Sequence, residues 1–157
     1  MKMELYLLRH ADADTIAETD DARPISEKGI GQARKVARFL EARELDKVRV
    51  LASPLRRTHE TAEIVARHLG AELLVVPWLK SGMRPQTALE QLREYAEEKA
   101  VMLVGHEPDL SSLIAHLLGM ASGDRIEIRK ASLTRLTVDA LEAGGARLDF
   151  SVPCRFM

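Results

Sequence analysis

The chain has 157 residues, 46% hydrophobic and 30% charged, with 23 basic against 24 acidic side chains and a formal net charge of −1. That length allows one core burying about 68–70% of the unfolded surface, and the composition and balance of charge point neither to disorder nor to a strongly basic nucleic-acid surface. The lone cysteine, Cys154, excludes an internal disulfide framework and a cysteine-rich zinc cage. No apolar stretch approaches the roughly 20 residues of a membrane span, and the opening Met-Lys-Met-Glu-Leu-Tyr has no cleavage site, which together predict a cytoplasmic protein. No linker or repeat divides the chain, so one domain over residues 1–157 is expected.

In chain order, Leu5 to Leu8 reads as a buried strand, and Ala11 to Arg23, with five acidic residues, reads as a loop. Ile30, Ala33, Val36, Ala37 and Leu40 recur at helical spacing, with Ser26 as N-cap and Glu27 in the first turn. Val48 to Ala52 predicts a second strand. Ser53-Pro54 then predicts the cap and first turn of a helix with Leu55, Thr58, Ala62, Val65 and Leu69 inward. Leu73 to Val76 predicts a third strand, and Pro85 opens a helix with Ala88, Leu89, Leu92 and Ala96 inward. Val101 to Val104 predicts a fourth strand, running into Gly105-His106. Leu110, Leu113, Ile114, Leu117 and Leu118 then mark a helix, and Ile126 to Val152 reads as strands turning at Gly144-Gly145. Alternating strands and helices predict a three-layer α/β/α sandwich with a mainly parallel central sheet, whose ligand site lies at the carboxyl ends of strands.

Residues capable of chemistry stand at those ends. Arg9-His10 follows the first strand, Ser53 and Arg57 the second, and His106-Glu107 the fourth. A lone histidine is most often a structural residue, and an arginine near a helix start is usually a solvated one. Convergence of three strand ends carries the inference. Arg56, about 100° around the helix from Arg57, reads as a solvated or rim charge.

Four motifs then resemble the histidine phosphatase superfamily, whose fold is phosphoglycerate-mutase-like. They are Leu8-Arg9-His10-Ala11, Pro24-Ile25-Ser26-Glu27-Lys28-Gly29-Ile30-Gly31-Gln32-Ala33, Ser53-Pro54-Leu55-Arg56-Arg57-Thr58-His59-Glu60-Thr61-Ala62, and Leu103-Val104-Gly105-His106. Ala11 departs from the usual glycine. In length and in Arg23-Pro24 the chain is most similar to the small SixA-type phosphohistidine phosphatases.

The resemblance implies a phosphatase with His10 as nucleophile and a phosphohistidine intermediate. Arg9 and Arg57 offer guanidinium forks to phosphate oxygens, and His106 would be a third donor. Arg23, in the loop, would add a phosphate contact or pair with a loop acid, and Ser53 would line the substrate site. Glu107 would be a general acid or a helix-start carboxylate. Segment 77–85 has no carboxylate where larger relatives carry an acid, and only 24 residues separate the third and fourth strands. An open site without an acid suits phosphohistidine on a phosphotransfer protein, because a protonated imidazole leaves readily. A broad-range phosphomonoesterase using Glu107 is the rival activity, and a non-catalytic phosphate-binding module is the rival of another class. No metal, no nucleotide cofactor, no nucleic acid and no membrane partner is expected, and a monomer is favoured.

Overall fold

The computed structural model describes residues 1–45 and 47–157. Six strands form one mixed sheet in the order β3-β2-β4-β1-β5-β6. They are β1 (Met3–Arg9), β2 (Val48–Ala52), β3 (Glu72–Val75), β4 (Ala100–Gly105), β5 (Leu133–Val138) and β6 (Ala146–Val152). The first four are mutually parallel, β5 runs antiparallel to β1, and β6 antiparallel to β5. Four helices complete the layers: α1 (Glu27–Glu41), α2 (Arg56–Leu69), α3 (Pro85–Leu92) and α4 (Asp109–Leu117). This is the expected α/β/α sandwich with a mainly parallel sheet.

The central strands read as unbroken apolar runs because both of their faces are covered. Alternate side chains feed two cores. Tyr6 and Leu8 of β1, Val50 and Ala52 of β2, and Met102 and Val104 of β4 pack with Val36 and Leu40 of α1 and Val65 of α2. Leu5, Leu7, Leu51, Val101 and Leu103 point the other way, onto Leu89 and Leu92 of α3 and Leu113 of α4. Connections through α1 and α2 therefore lie on one face, and the return through α3 lies on the other. That return sets β4 between β1 and β2, with Arg9 opposite Gly105 and Ala52 opposite Val104.

Ser26 caps α1 as expected, its Oγ accepting from Gly29 N–H at 3.0 Å. Helix α2 corrects the sequence reading. It starts at Arg56 with Leu55 at the N-cap position and no side-chain cap, because Ser53 stands too early: its Oγ accepts from Leu55 N–H at 3.2 Å, ahead of the first turn, and faces His106. Ala66 is buried on its inner face, while Leu69 is only partly so. Helix α3 stops at Leu92 and tightens into a 3-10 turn, Arg93–Tyr95, so Ala96 is half-buried outside it.

Asp12 is docked on the first turn of α1. Its carbonyl accepts from Ser26 N–H at 2.9 Å, its N–H donates to Gln32 Oε1 at 2.8 Å, and its carboxylate accepts from Ser26 Oγ at 2.6 Å. A Cβ on Gly29 would overlap the Asp12 carbonyl oxygen, whereas one on Gly31 meets nothing within 4 Å. Gly29→Ala is therefore expected to destabilise by roughly 1–3 kcal/mol, and Gly31→Ala to stabilise by roughly 0.5–1 kcal/mol through helix propensity. Urea denaturation of the two variants checks this; equal shifts would show that the Asp12 contact is not tight.

Candidate active site

Backbone pairing continues one residue past the sheet on both sides of β4. His10 N–H donates to the Gly105 carbonyl at 3.1 Å and Ser53 N–H to the Val104 carbonyl at 3.1 Å. His10, Ser53 and His106 are thereby set side by side, and the two imidazoles stand 5.5 Å apart, centroid to centroid, tilted by 54°.

His10 is 7% exposed, with Nδ1 2.8 Å from the Ala11 carbonyl oxygen. A carbonyl only accepts, so Nδ1 carries the proton and Nε2 keeps its lone pair. His106 is 3% exposed, and its Nε2 lies 2.8 Å from Ser53 Oγ and 3.3 Å from Thr58 Oγ1. Ser53 Oγ already accepts from Leu55 N–H at 3.2 Å, which turns its own proton toward His106 Nε2. That network assigns the His106 proton to Nδ1, a buried atom with no partner among the described residues.

Arg9 ends β1 half-buried, donating from Nη1 to the Ile128 carbonyl at 2.9 Å while its buried Nε has no partner. Orphaned buried donors are rare in proteins. Two of the three found among the described residues, Arg9 Nε and His106 Nδ1, belong to this site. Arg57, in the first turn of α2 and 6% exposed, donates to the Asp20 carbonyl at 3.0 Å and pairs with the Asp20 carboxylate at 3.3 Å. Arg23 pairs with the same carboxylate at 3.0 Å and donates to the Asp14 carbonyl at 2.7 Å. Arg56 is exposed on Glu60, as its position around the helix implied.

Burial pushes the His10 imidazole down to about 4, with His106, Arg57 and Arg9 acting in the same direction against the Ala11 hydrogen bond. Burial, then Arg57, holds His106 at about 4 as well. Burial also lowers the Arg9 guanidinium, against the pull of Glu107. Both imidazoles are therefore neutral at pH 7, and the fixed positive charge comes from the arginines. Among the described residues no three histidine, cysteine or acidic side chains are grouped to hold a metal ion.

The sequence matches the Histidine phosphatase superfamily (branch 1) over residues 5–82, a span holding Arg9, His10, Ser53 and Arg57. An uncharacterised protein of Picosynechococcus sp. is 34% identical over 155 residues, 93% of this chain and 88% of that protein. Phosphohistidine phosphatase SixA of Escherichia coli is 29% identical over 119 residues, 73% of this chain and 74% of the enzyme. A solved structure of the protein histidine phosphatase SixA complexed with tungstate superposes with a TM-score of 0.86 at 25% identity, covering 98% of this chain and 99% of that one. The chain belongs to the histidine phosphatase superfamily. Within it the chain is of the SixA type, with the phosphoglycerate-mutase-like fold of those structures.

The structure also explains superfamily motif positions to which the sequence alone attached no role. Thr61 Oγ1 accepts from Ala11 N–H at 3.0 Å and donates to the Arg57 carbonyl at 2.7 Å, tying the His10 loop to α2. Gln32 does the same from α1 through Asp12. Asp109 was missed altogether. It is 8% exposed, and its carboxylate accepts from Gly82 and Met83 N–H at 2.9 and 3.2 Å, pinning segment 77–84 onto α4. Ser53 lies behind His106, fully buried, instead of lining the opening. Glu107 Oε1 accepts from Ser111 N–H at 2.8 Å, the contact of a helix-start carboxylate.

A histidine near 6.5 when unfolded and about 4 when folded takes up a proton in the unfolded chain first. Stability is therefore full above pH 6.5 and falls as pH drops toward 4, by on the order of 1 kcal/mol per pH unit for each such histidine. Chemical denaturation between pH 7.5 and 5 should give a shallower slope for His10→Gln than for the parent chain. An unchanged slope would show that His10 is not held neutral.

Proposed function

We propose that this chain is a phosphohistidine phosphatase that carries the phosphoryl group through a covalent intermediate on His10. The observation that carries the reading is the tautomer: Nδ1 is committed to the Ala11 carbonyl, so Nε2 can attack, and it does so beside two arginines and an unpartnered His106 donor. The Nε2 lone pair forms the new N–P bond while the P–N bond to the substrate imidazole breaks. That imidazole, already protonated at its far nitrogen, departs neutral. Water then attacks phosphorus, the bond to His10 breaks, and phosphate is released. Arg9 and Arg57 would balance the charge on the phosphoryl oxygens throughout, with His106 Nδ1 donating a hydrogen bond to one of them.

Two features favour a phosphohistidine displayed on a protein over a small ester. Segment 77–84 is short, buries Leu79 and Met83 and is fastened by Asp109, so it does not form a lid around a metabolite. Glu107 is occupied as a helix-start carboxylate, which supports chemistry that needs no general acid. The similarity to SixA proteins, one of them binding tungstate, a phosphate-like oxyanion, supports the same reading. Among the described residues no helix is long and apolar enough to cross a membrane, which suits a partner met in solution.

The intact chain, incubated with a phosphohistidine-bearing phosphotransfer domain and with p-nitrophenyl phosphate, should turn over the protein substrate faster. It should also yield an acid-labile phosphoenzyme that is absent from His10→Ala, whose turnover falls by roughly 10³-fold or more. Glu107→Gln should leave phosphohistidine hydrolysis within a factor of about 3; preference for the ester, collapsing in Glu107→Gln, would make the protein a general phosphomonoesterase instead.

The Asp20 carboxylate sits on Arg57 where a substrate oxygen would go. Asp20→Asn is expected to tighten inhibition by tungstate roughly 2- to 5-fold. Weaker inhibition would mean that Asp20 positions Arg57 and does not compete for it.

A further inference from the structure

Beside the proposed phosphoryl site lies a second concavity of about 440 Å³, bordered by Arg9, Asp12, Lys28, Arg129, Lys130 and Arg155. Five cations against one carboxylate is a local excess in a chain whose net charge is −1. The carboxylate is already spent, since Asp12 accepts from Ser26 Oγ at 2.6 Å and from Lys130 Nζ at 3.0 Å. Arg129 reaches only the exposed Glu127, at 3.2 Å, and among the described residues Lys28 and Arg155 have no ion-pair partner. The cations come from separate elements: Lys28 from the first turn of α1, Arg129 and Lys130 from the turn before β5, and Arg155 from the final 3-10 turn, Cys154–Phe156.

The concavity is built onto the nucleophile. Ala131 N–H donates to the carbonyls of both Arg9 and His10, at 3.1 and 3.2 Å, and Arg9 Nη1 donates to Ile128. Ala131 adopts φ +57 to do so, a left-handed conformation that alanine rarely takes. Strain of that kind persists where the surroundings over-determine it. The turn bearing Arg129 and Lys130 is thus held in register with the backbone of Arg9 and His10.

We infer that this basic concavity is a second substrate subsite, which takes acidic side chains flanking the phosphohistidine on the partner protein. The inference rests on the phosphohistidine reading above. A single phosphate is matched by donors converging on one point, whereas cations spread around 440 Å³ on several elements match carboxylates spread along a peptide segment. Arg9 borders the concavity and also acts on His10 in the proposed phosphoryl site, so one bound segment can reach both.

The test uses two fluorescent peptides carrying a non-hydrolysable phosphohistidine analogue, identical except for Asp and Glu or Asn and Gln on either side. Binding to the intact chain and to the double variant Lys28→Gln, Arg155→Gln is read by anisotropy. Both substituted side chains are exposed and lie outside the proposed catalytic machinery. The parent chain should prefer the acidic peptide roughly 5- to 10-fold at low salt, and the double variant should lose that preference while binding the neutral peptide unchanged. With the hydrolysable phosphohistidine peptides, the variant should raise KM for the acidic one and leave kcat alone. Equal binding of the two peptides, no binding of either, or a preference retained by the variant overturns the subsite. Preference in the anisotropy without hydrolysis of either peptide would keep the subsite and overturn the phosphohistidine reading.

Discussion

The placement of β4 between β1 and β2 is the constraint on which the rest of this structure depends. Parallel neighbours deliver their next residues to the same edge of the sheet, and the hydrogen bonds from His10 and Ser53 to carbonyls of β4 extend that register into the loops. Only backbone pairing is needed to bring together residues 10, 53 and 106. Side chains then refine what the backbone has placed, through Thr61 and Gln32 on the His10 loop and Ser53 on His106.

Much of this was legible in the sequence because each central strand ends in a chemically distinctive residue. The runs Leu5 to Leu8 and Val101 to Val104 are apolar throughout since both faces meet helices, and that continuity marks buried parallel strands. Ser26 was readable as a cap because its role is local, a contact with Gly29 three residues on. Ser53 was misread because the local pattern Ser-Pro suggests a cap, but the helix begins only at Arg56, so the Ser53 Oγ accepts from Leu55 N–H ahead of the first turn and gives its proton to His106, 53 residues away in sequence. Asp20 and Asp109 were illegible in their roles because their contacts, with Arg57 37 residues on and with Gly82 27 residues back, follow no local pattern.

Ala11 shows the limit of comparing motifs residue by residue. Glycine is required where φ is positive or a neighbour leaves no room for a methyl. Ala11 is not among the positive-φ residues, and its methyl packs fully buried with Ala33 and Val36 while its N–H meets Thr61. The departure from glycine adds core contact and leaves the loop geometry intact. Gly29 is the opposite case, since the Asp12 carbonyl occupies the space of its missing side chain.

The two arginines of the site are held by different kinds of structure. Arg9 is fixed from behind, by the Ile128 carbonyl and by a turn stitched to its own backbone through Ala131. Arg57 is held from the front, by an exposed carboxylate on the loop between β1 and α1 that also carries Arg23. Removing water from the Arg57 guanidinium without a counter-charge is unfavourable, and Asp20 supplies that charge from a position exposed to solvent, while Glu107 is the anion felt by Arg9. On the proposed reading, a phosphoryl group replaces one anion by another at Arg57, so the positive charge of the site is never left uncompensated. The Arg9 side keeps its geometry through this exchange, and the rearrangement falls on the Asp20 loop, whose side-chain contacts lie at the surface and are the less costly to remake.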